Sequence, residues 1–403
     1  MHKIERLLQT LAPKGVEFRK LGEVCDFQKG KSITKKAVTL GKVPVISGGR
    51  QPAYYHNEAN RSGETIAISS SGVYAGYVSY WDIPVFLADS FSVSPKQKTL
   101  MPKYLFHYLT TQQDAIHATK STGGIPHVYS KDLQNFLIPI PPLEVQQEIV
   151  KILDAFTELN TELNTELKAR KKQYQYYQNM LLDFNGIHSN HKDAKIKTYP
   201  KRLKTLLQTL APKGVEFKKI GELFKRNKGI NITAAQMKEL HSEIGEVRIF
   251  AGGATKADIN YKDISKKDII NCESVIIKSR GNIGFEYYNQ PFSHKNEIWS
   301  YSSKTNQMLV KFLYYYLSNN QYYFQKLAQS SSVKLPQLSV SDTDEYEVPI
   351  PPLEIQQEIV KILDQFSLLT TDLLAGIPAE IKARKKQYEY YREKLLTFKP
   401  LKA

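Results

Sequence analysis

The sequence predicts an α+β protein with two mixed α/β globular domains separated by two long antiparallel coiled-coil helices, and with pseudo-two-fold duplication. The main observation is that three segments of the chain occur twice. The pairs are Leu7–Phe18 with Leu206–Phe217, Pro139–Asp154 with Pro349–Asp364, and Lys168–Tyr174 with Lys382–Tyr388. A solenoid would repeat every few tens of residues, so these distant copies indicate one duplicated module.

Between the repeats lie two inserts, 24–137 and 223–347, which share a pattern but few residues. Segments such as "GETIAISS" and "AGYVSYW" in the first insert, and "EVRIFAGG" and "EIWSYSS" in the second, are rich in β-branched and aromatic residues between glycine-rich turns. These features predict short strands. Each insert also contains one aromatic helical segment, "KYLFHYLTTQQ" or "KFLYYYLSNNQYYF", whose rings we expect mainly in a core. The inserts are therefore predicted to be mixed α/β.

The first long helix is predicted over Leu143–Leu182, directly after the Pro141-Pro142 pair, because proline is well placed in the first turn of a helix. A helix of this length would measure about 60 Å. Its apolar residues follow the alternating spacing of three and four that is typical of a coiled-coil seam. These residues are Ile149, Ile152, Phe156, Leu159 and Leu163.

Within this helix, Thr157–Leu167 reads "TELNTELNTEL". Four residues are slightly more than one helical turn, so Leu159, Leu163 and Leu167 form a slowly rotating apolar stripe. From this pattern alone, the favoured interpretation is a solvated amphipathic helix that expanded by accident. A spacer that includes Thr157 and these three leucines is the alternative.

The second long helix is predicted over Leu353–Leu396, with a kink or break at Gly376 and Pro378. Two helices from a duplicated module pair most economically in an antiparallel arrangement. The predicted divisions are 1–142 for the first globular domain with the N-terminal repeat segment, 143–185 for the central spacer helix, 186–205 for a polar, basic linker, 206–352 for the second globular domain and 353–403 for the C-terminal spacer helix.

The charge balance points to a polyanionic partner. The chain has 56 Lys and Arg against 40 Asp and Glu, which leaves a formal charge of +16, and such a field suits nucleic acid or an anionic membrane. The sequence contains no apolar run of bilayer-spanning length and no signal-peptide core near the N-terminus. With Cys25 and Cys272 as the only cysteines, a reducing cytoplasm is expected. Nucleic acid is the predicted partner, and a merely basic soluble protein is the alternative.

Sequence motifs for catalysis or metal binding are missing. The segment "QKGKS" ends like a phosphate-binding loop, but Cys25 occupies the position of the required first glycine. His107, His117 and His127 lack cysteine or carboxylate partners at ligand spacing, so no metal site is predicted. Amino-methyltransferase, nucleophile-elbow and dinucleotide motifs are likewise not found. We therefore predict a non-catalytic binding and scaffold protein.

The repeated "PIPPLE" and "QQEIVKILD" openings, the shared "KARKKQY" segments and the two divergent inserts together resemble the specificity subunit of a type I restriction-modification enzyme. The resemblance covers nearly the whole chain. It implies that the inserts are target-recognition domains, each reading one half of a split DNA sequence, and that the paired helices hold them apart. It also implies that short repeats in the central helix, such as Thr-Glu-Leu-Asn, vary in number and act as a spacer.

The resemblance implies several partners: double-stranded DNA, two methyltransferase (modification) subunits docked on the helices, and restriction (motor-nuclease) subunits. S-adenosylmethionine, ATP and Mg²⁺ would be bound by those subunits, and no cofactor is expected on this chain. Two alternatives remain, a specificity subunit of another multisubunit restriction system and a two-headed sequence-specific DNA-binding regulator without enzyme partners. Neighbouring genes for a methyltransferase and a helicase-nuclease would argue against the regulator.

Under this resemblance, Lys, Arg and Ser on loops are expected to clamp the DNA backbone while other side chains reach base edges. The DNA-binding residues predicted in the first insert are Lys29, Lys31, Ser32, Arg50, Gln51, Tyr54, Lys120, Ser121 and His127. Those predicted in the second insert are Lys228, Asn231, Lys256, Lys278, Arg280, Lys334 and Gln337. Partner-binding residues are predicted at Gln146, Gln147, Arg170, Gln356, Gln357 and Arg384. A plain surface role is the alternative for each of them.

Overall fold

The structure is a computed structural model that describes residues 2–96, 98–121, 124–184, 199–330, 335–371 and 375–401. The chain divides into two compact units, which are Met1–Thr165 with Ala379–Ala403 and Glu166–Pro378. Each division falls inside a helix of a repeated segment. Each unit therefore contains one insert together with parts of both repeated helices.

The first unit begins with a helix and contains the first insert. Its helices are α1 (His2–Leu11), α2 (Leu21–Val24), α3 (Pro102–Thr111), α4 (Gln113–Ala118), α5 (Ser130–Leu133) and the start of α6 (Leu143–Leu182), with a 3-10 turn at Lys35–Ala37. Its strands are β1 (Glu17–Lys20), β2 (Cys25–Lys29), β3 (Leu40–Ile46), β4 (Tyr54–His56), β5 (Thr65–Ser69), β6 (Val78–Trp81), β7 (Phe86–Leu87), β8 (Ser90–Pro95) and β9 (Leu137–Ile140).

The second unit repeats this order of elements. Its helices are α7 (Lys201–Leu210), α8 (Ile220–Leu223), α9 (Ala234–Leu240), α10 (Val310–Asn319), α11 (Gln321–Ser330), α12 (Ser341–Asp344), α13 (Leu353–Thr371) and the start of α14 (Ile377–Leu396), with 3-10 turns at Tyr261–Asp263 and Lys266–Asp268. Its strands are β10 (Glu216–Lys219), β11 (Phe224–Asn227), β12 (Val247–Phe250), β13 (Lys256–Ile259), β14 (Ser274–Lys278), β15 (Gly284–Tyr288), β16 (Phe292–His294), β17 (Trp299–Ser303) and β18 (Glu347–Ile350).

The two units share one sheet topology despite their divergent inserts. An antiparallel sheet has the order β2-β8-β5-β6 in the first unit and β11-β17-β14-β15 in the second. A mixed sheet has the order β4-β3-β7 or β13-β12-β16, with one antiparallel and one parallel pairing. The ribbons β1-β9 and β10-β18 close the base of each insert. The predicted α+β class and duplicated architecture are confirmed.

Each unit packs its insert helix and antiparallel sheet against the start of a repeated helix. In the first unit the fully buried residues of this core include Ile68, Tyr104, Leu105, Leu109, Ile149 and Leu153. In the second they include Ile277, Phe312, Leu313, Leu317, Ile355 and Leu363. The aromatic residues of α3 and α10 thus lie mainly in the core, as expected from the sequence. The second aromatic segment differs from the single predicted helix, because α10 ends at Asn319 and α11 begins at Gln321.

The repeated helices follow the sequence prediction closely. Helix α6 covers the whole predicted range Leu143–Leu182. The predicted break in the second helix is confirmed, since α13 ends at Thr371 and α14 begins at Ile377 with Pro378 in its first turn, where proline needs no backbone hydrogen bond. Residues 186–198 of the predicted linker lie outside the described residues. The remainder differs from the prediction, because α7 already begins at Lys201.

Candidate nucleic-acid interface

Several predicted DNA-binding segments of the first unit meet at one end of its antiparallel sheet. Strand β2 ends where β8 begins, with Lys29 opposite Phe91, and β5 ends there too, with Ser69 opposite Ser90. Strand β6 begins at the same end, with Val78 opposite Ile68 on β5. The strand order therefore brings the loops that follow β2 and β5 together. We refer to this end of the sheet as the first recognition edge.

The segment "QKGKS" lies along the first recognition edge. The Gly30 N–H donates to the carbonyl of Ser90 at 2.8 Å, and the Lys31 N–H donates to the carbonyl of Leu87 at 2.8 Å. A Cβ on Gly30 would stand only 2.4 Å from the Leu87 oxygen, so this approach requires glycine. The side chains of Lys29, Lys31 and Ser32 are exposed. Backbone contacts thus hold this segment while its polar side chains face solvent.

The loop between β5 and β6 joins the loop around His127 in a short antiparallel bridge between Ser71 and His127. The Gly72 N–H donates to the carbonyl of Pro126 at 3.0 Å, and Gly72 has a φ of +83°, which glycine adopts without strain. Ser121 closes the second loop on itself, because its hydroxyl accepts the His127 N–H at 3.1 Å. Hydrogen bonds therefore hold residues 71–72 against residues 126–127, and Ser121 against His127.

Cationic and aromatic side chains lie on these loops and on the neighbouring loop between β3 and β4. The Arg50 guanidinium carbon lies 4.8 Å from the ring centre of Tyr74, a cation–π arrangement. The Lys120 ammonium donates to the carbonyl of Val73 at 3.2 Å. His127 stacks on Tyr129 with ring centres 5.9 Å apart. Tyr74 is 42% exposed, so the edge offers positive charge beside an accessible ring.

The second unit builds the same edge from different side chains. A bridge joins Arg280 to Gln337, the Gly281 N–H donates to the carbonyl of Pro336 at 2.8 Å, and the Leu338 N–H donates to the carbonyl of Ser279 at 2.8 Å. Arg280 therefore occupies the place of Ser71, and Gln337 that of His127. Arg280 is exposed and donates from Nη2 to Oε1 of Gln337 at 3.1 Å. We refer to this end of the sheet as the second recognition edge.

Lys228 and Asn231 flank a segment fixed by backbone bonds at the second recognition edge. The Ile230 N–H donates to the carbonyl of His294 at 2.7 Å, and the Asn296 N–H donates to the carbonyl of Ile230 at 3.1 Å. The side chains of Lys228 and Asn231 are exposed. The segment therefore corresponds to "QKGKS" in position as well as in sequence order.

The Glu297 carboxylate binds the loop that contains Gly252 and Gly253. This loop leads to the exposed Lys256. Oε1 of Glu297 accepts the Gly252 N–H at 3.2 Å, and its Oε2 pairs with the Lys295 ammonium at 3.2 Å. Burial alone would raise the pKa of Glu297, but the Gly252 N–H and Lys295 outweigh it and hold the pKa below its usual range. An ionised Glu297 thus fixes the loop in place.

Other predicted residues are less open to a ligand, or lie elsewhere. Lys278 is 22% exposed and pairs with Glu286 at 2.6 Å, so its charge is already partly neutralised within the sheet. Gln51 is exposed beside Arg50, whereas Tyr54 is half-buried at the start of β4. Lys334 lies outside the described residues.

The structure also identifies residues that the sequence pattern did not single out. Gln113 on α4 accepts the Val78 N–H at 3.2 Å and donates to the carbonyl of Gly76 at 2.7 Å, and His117 one turn later contacts the carbonyl of Ala75 at 2.9 Å. On α11, Gln321 and Gln325 bind the backbone of residues 281–283 in the same way. These side chains hold the recognition loops in place through hydrogen bonds to the loop backbone. The glutamines in "TTQQ" and "SNNQ" were the available signal, but their contacts depend on tertiary packing.

The predicted partner-binding residues divide into buried and exposed members. Gln146 is fully buried: its Oε1 accepts the Met101 N–H at 2.9 Å, and its Nε2 donates to the carbonyls of Thr99 and Pro141 at 2.8 and 2.7 Å. Gln356 is also fully buried and makes the corresponding bonds with Leu309, Gln307 and Pro351. As placed, neither amide can reach a partner, which corrects that prediction: they fasten the insert to the helix start.

The remaining members lie on the helix surfaces. Gln147 and Gln357 are exposed. Arg170 contacts Glu166 and Gln173 on its own helix, and Arg384 contacts Glu380 and Gln387 in the same arrangement.

The tetrapeptide segment is helical throughout, and its leucines form the predicted stripe. Leu159, Leu163 and Leu167 are half-buried, whereas Thr157 is exposed. Each hydroxyl of the repeat bonds one turn back, as in the Thr161 hydroxyl to the carbonyl of Thr157 at 2.8 Å. The Asn164 amide likewise donates to the carbonyl of Asn160 at 2.6 Å. Adding or removing one unit would preserve this repeating pattern of bonds.

The described ranges contain neither a candidate metal centre nor a candidate membrane span. Across these ranges, no cluster of three or more His, Cys, Asp or Glu side chains could hold a metal ion. Likewise, no described helix is long and apolar enough to span a bilayer.

Comparison with known proteins shows to which family this chain belongs. Residues 13–172 and 212–383 each match the model of the type I restriction modification DNA specificity domain. The chain belongs to this specificity-subunit family. It therefore carries two target recognition domains, one per unit, and as a specificity subunit it is not itself an enzyme. The predicted family membership is confirmed.

Several relatives match this specificity subunit over nearly its full length. It is 30% identical to a putative type I restriction enzyme specificity subunit of Haemophilus influenzae, over 98% of both chains. It is 26% identical to the EcoR124I/EcoR124II specificity subunit of Escherichia coli, over 99% of this chain and 97% of that protein. A crystal structure of a type I restriction-modification S subunit from M. genitalium shares its fold, with a TM-score of 0.68 and 20% identity over 95% of this chain and 96% of that one.

Proposed function

We propose that the two recognition edges read the two halves of a bipartite DNA target. The observation that carries this proposal is that two divergent inserts build one loop arrangement, in which equivalent backbone bonds present different side chains, Ser71 and His127 in one unit and Arg280 and Gln337 in the other. A shared backbone arrangement with different side chains suits two domains that recognise different bases, since contacts to base edges rather than to phosphates specify sequence.

The surrounding charge supports DNA as the ligand. Exposed Lys29 and Lys31 flank the first edge, and exposed Lys228 and Lys256 flank the second, where they suit phosphate contacts. The chain as a whole carries +16. A merely basic surface would not require matched loops at both edges.

Docking of two methyltransferase subunits on the repeated helices forms part of the same proposal. The exposed Gln147 and Gln357, with Arg170 and Arg384, lie at equivalent positions of the repeats, so one kind of partner can bind twice. Restriction subunits would join through those partners. S-adenosylmethionine, ATP and Mg²⁺ would be supplied by the partner subunits, and we place the complex in the cytoplasm.

Methylome sequencing of the host strain with and without this gene tests the proposal. A bipartite motif with a fixed gap should disappear on deletion, whereas an unchanged methylome contradicts the proposed function. The purified chain alone should show no methylation, cleavage or ATP hydrolysis, and methyl transfer by this polypeptide alone would overturn the scaffold role. A regulator without enzyme partners would instead change transcription and leave every methylated motif in place.

A further inference from the structure

A four-residue chain of contacts ties the first recognition domain to its helix. The Lys103 ammonium on α3 pairs with Asp154 on α6 at 2.6 Å and lies 5.6 Å from the ring centre of Tyr80 on β6. The Tyr80 hydroxyl donates to Glu64, which directly precedes β5. We refer to Glu64, Tyr80, Lys103 and Asp154 as the first latch. It joins a repeated helix, an insert helix and two strands at one place.

The second unit contains the same contacts, although its insert has diverged. Lys311 on α10 pairs with Asp364 on α13 at 2.7 Å and lies 5.2 Å from the ring centre of Tyr287 on β15. The Tyr287 hydroxyl donates to Glu273 at 2.7 Å, and Glu273 directly precedes β14. We refer to Glu273, Tyr287, Lys311 and Asp364 as the second latch. Asp154 and Asp364 end the two repeated segments, whereas the Glu, Tyr and Lys of each latch belong to the inserts. Three of the four residue types and their contacts thus recur between inserts that otherwise share few residues.

The exposure of the lysine–aspartate pairs limits what these pairs add to folding stability. The four charged side chains that form the two ion pairs are between 33% and 37% exposed. Ion pairs with about one third of each side chain exposed contribute little to stability, because water screens them and two flexible side chains must be ordered. Asp154 also contacts the buried His107 at 2.9 Å, and Asp364 accepts a hydrogen bond from the Tyr315 hydroxyl at 2.5 Å, so these bonds differ between the units. The contacts among lysine, tyrosine and glutamate recur in both inserts, which favours a role in orientation.

Each latch includes a tyrosine on the strand that directly follows a recognition loop. Strand β6 carries Tyr80 and follows directly on the loop that contains Tyr74 and Tyr77, so the latch fixes one end of the recognition loop relative to α6. Strand β15 with Tyr287 follows the Arg280 loop in the same way. We propose that the two latches set the angle at which each recognition domain stands on its helix, and that their residues are positioning residues for the gap between the half-sites.

A geometric estimate shows how small a rotation of the recognition domain would change the gap that it accepts. Tyr80 stands six residues after Tyr74, at most about 20 Å of extended chain at about 3.3 Å per residue. Over a lever of at most about 20 Å, a rotation of about 10° or more moves the recognition loop by about 3.4 Å, the rise of one base pair. A domain that rocked by this amount would accept gaps one base pair too long or too short. The inference rests on the proposed function where it concerns DNA.

Distance measurement tests the latch without DNA. Nitroxide labels at Val73→Cys and Glu158→Cys, in a Cys272→Ser background of the full chain, report the recognition loop relative to α6; both positions are exposed, and Cys25 is buried. Lys103→Met should broaden the pulsed-EPR distance distribution about twofold. Lys96→Met is the control, because it removes another lysine–aspartate pair of the same unit, with the exposed Asp26 at 3.9 Å, and should leave the width unchanged. An unchanged width in Lys103→Met overturns the inference.

The second measurement is gap selectivity in the complex with its methyltransferase subunits. Lys103→Met and Lys311→Met should each raise methylation of targets with a gap one base pair longer or shorter about fivefold, while half-site bases stay the same. Tyr80→Phe and Tyr287→Phe, which keep the ring but lose the hydroxyl, provide the test if a lysine variant fails to fold. Unaltered gap selectivity in folded variants overturns the inference. Absence of any bipartite methylation by the unaltered complex refutes the proposed function, and the distance measurement then decides the latch separately.

Discussion

The Arg280 guanidinium donates from Nη2 to Oε1 of Gln337 at 3.1 Å, across a short antiparallel bridge between two loops of the second unit. This contact holds the side chain of an exposed arginine in a defined direction. In the first unit the bridge joins Ser71 and His127, and the neighbouring arginine, Arg50, lies instead over Tyr74. The two recognition edges therefore present arginine from different loops, which supports different half-site sequences.

Arg280→Ala should reduce methylation of the natural target about 5- to 150-fold, because a bidentate base contact discriminates by about 1–3 kcal/mol. The loss should be confined to one half-site. Methylation of oligonucleotides with single-base changes in each half measures this. Lys278→Ala should act on the same half but more weakly, since Lys278 is paired with Glu286.

Arg50→Ala is the matched control for this prediction. It should relax the opposite half-site and leave the Arg280 half intact, because distant sites act additively. Loss of preference in both halves from either single change would show that the two edges are not independent readers.

Lys31→Ala should weaken DNA binding without changing base preference, because an exposed lysine beside backbone-fixed "QKGKS" suits a phosphate contact. The plot of log K against log salt for the complex should be steep and negative. Removal of one lysine–phosphate pair should make that slope shallower by about 0.9. Titrations at several salt concentrations measure the change. A flat salt response of the unaltered complex would argue against the charge of +16 serving DNA.

Gln146→Ala should destabilise the chain by about 2–5 kcal/mol, because it removes three hydrogen bonds from a buried site and leaves their partners unsatisfied. Gln147→Ala, one residue away and exposed, should change stability by less than about 0.5 kcal/mol. Urea denaturation measures both. Equal effects would contradict the separation of Gln146 as a structural residue from Gln147 as a candidate partner contact.

Deletion of Thr161–Asn164 should keep both half-site sequences and shorten the gap by one base pair. Removing four helical residues changes the helix by roughly 6 Å and about 40° beyond a full turn. One base pair turns B-DNA by about 34–36°, so the rotations nearly match. The excess translation must be absorbed by helix tilt or DNA bending. The side-chain bonds that run one turn back continue across the deletion, because Thr165 takes the place of Thr161.

Methylome sequencing of the deletion strain measures the gap, and insertion of one Thr-Glu-Leu-Asn unit should lengthen it by one base pair. Insertion of a single residue is the control, since it rotates the helix by about 100° and should disrupt binding. An unchanged gap, or altered half-site bases, would show that the tetrapeptides are not the spacer.

The sequence by itself determined the duplication, the α+β class, the bounds of α6 and the break before Ile377. These features depend on local signals: repeated letters, apolar spacing, and the positions of Gly376 and Pro378, whose effects act within a few residues. The loops that carry the candidate recognition residues could also be read from the sequence, because glycine and polar residues mark where strands end.

Only the tertiary structure decided which of these residues share a site. Ser71 meets His127, and Arg280 meets Gln337, through pairings across tens of residues that no local pattern encodes. The same holds for Gln146 and Gln147, neighbours with equal sequence signals, of which one is buried and one exposed. Burial depends on what packs against a helix face, and that is fixed only when distant segments fold together.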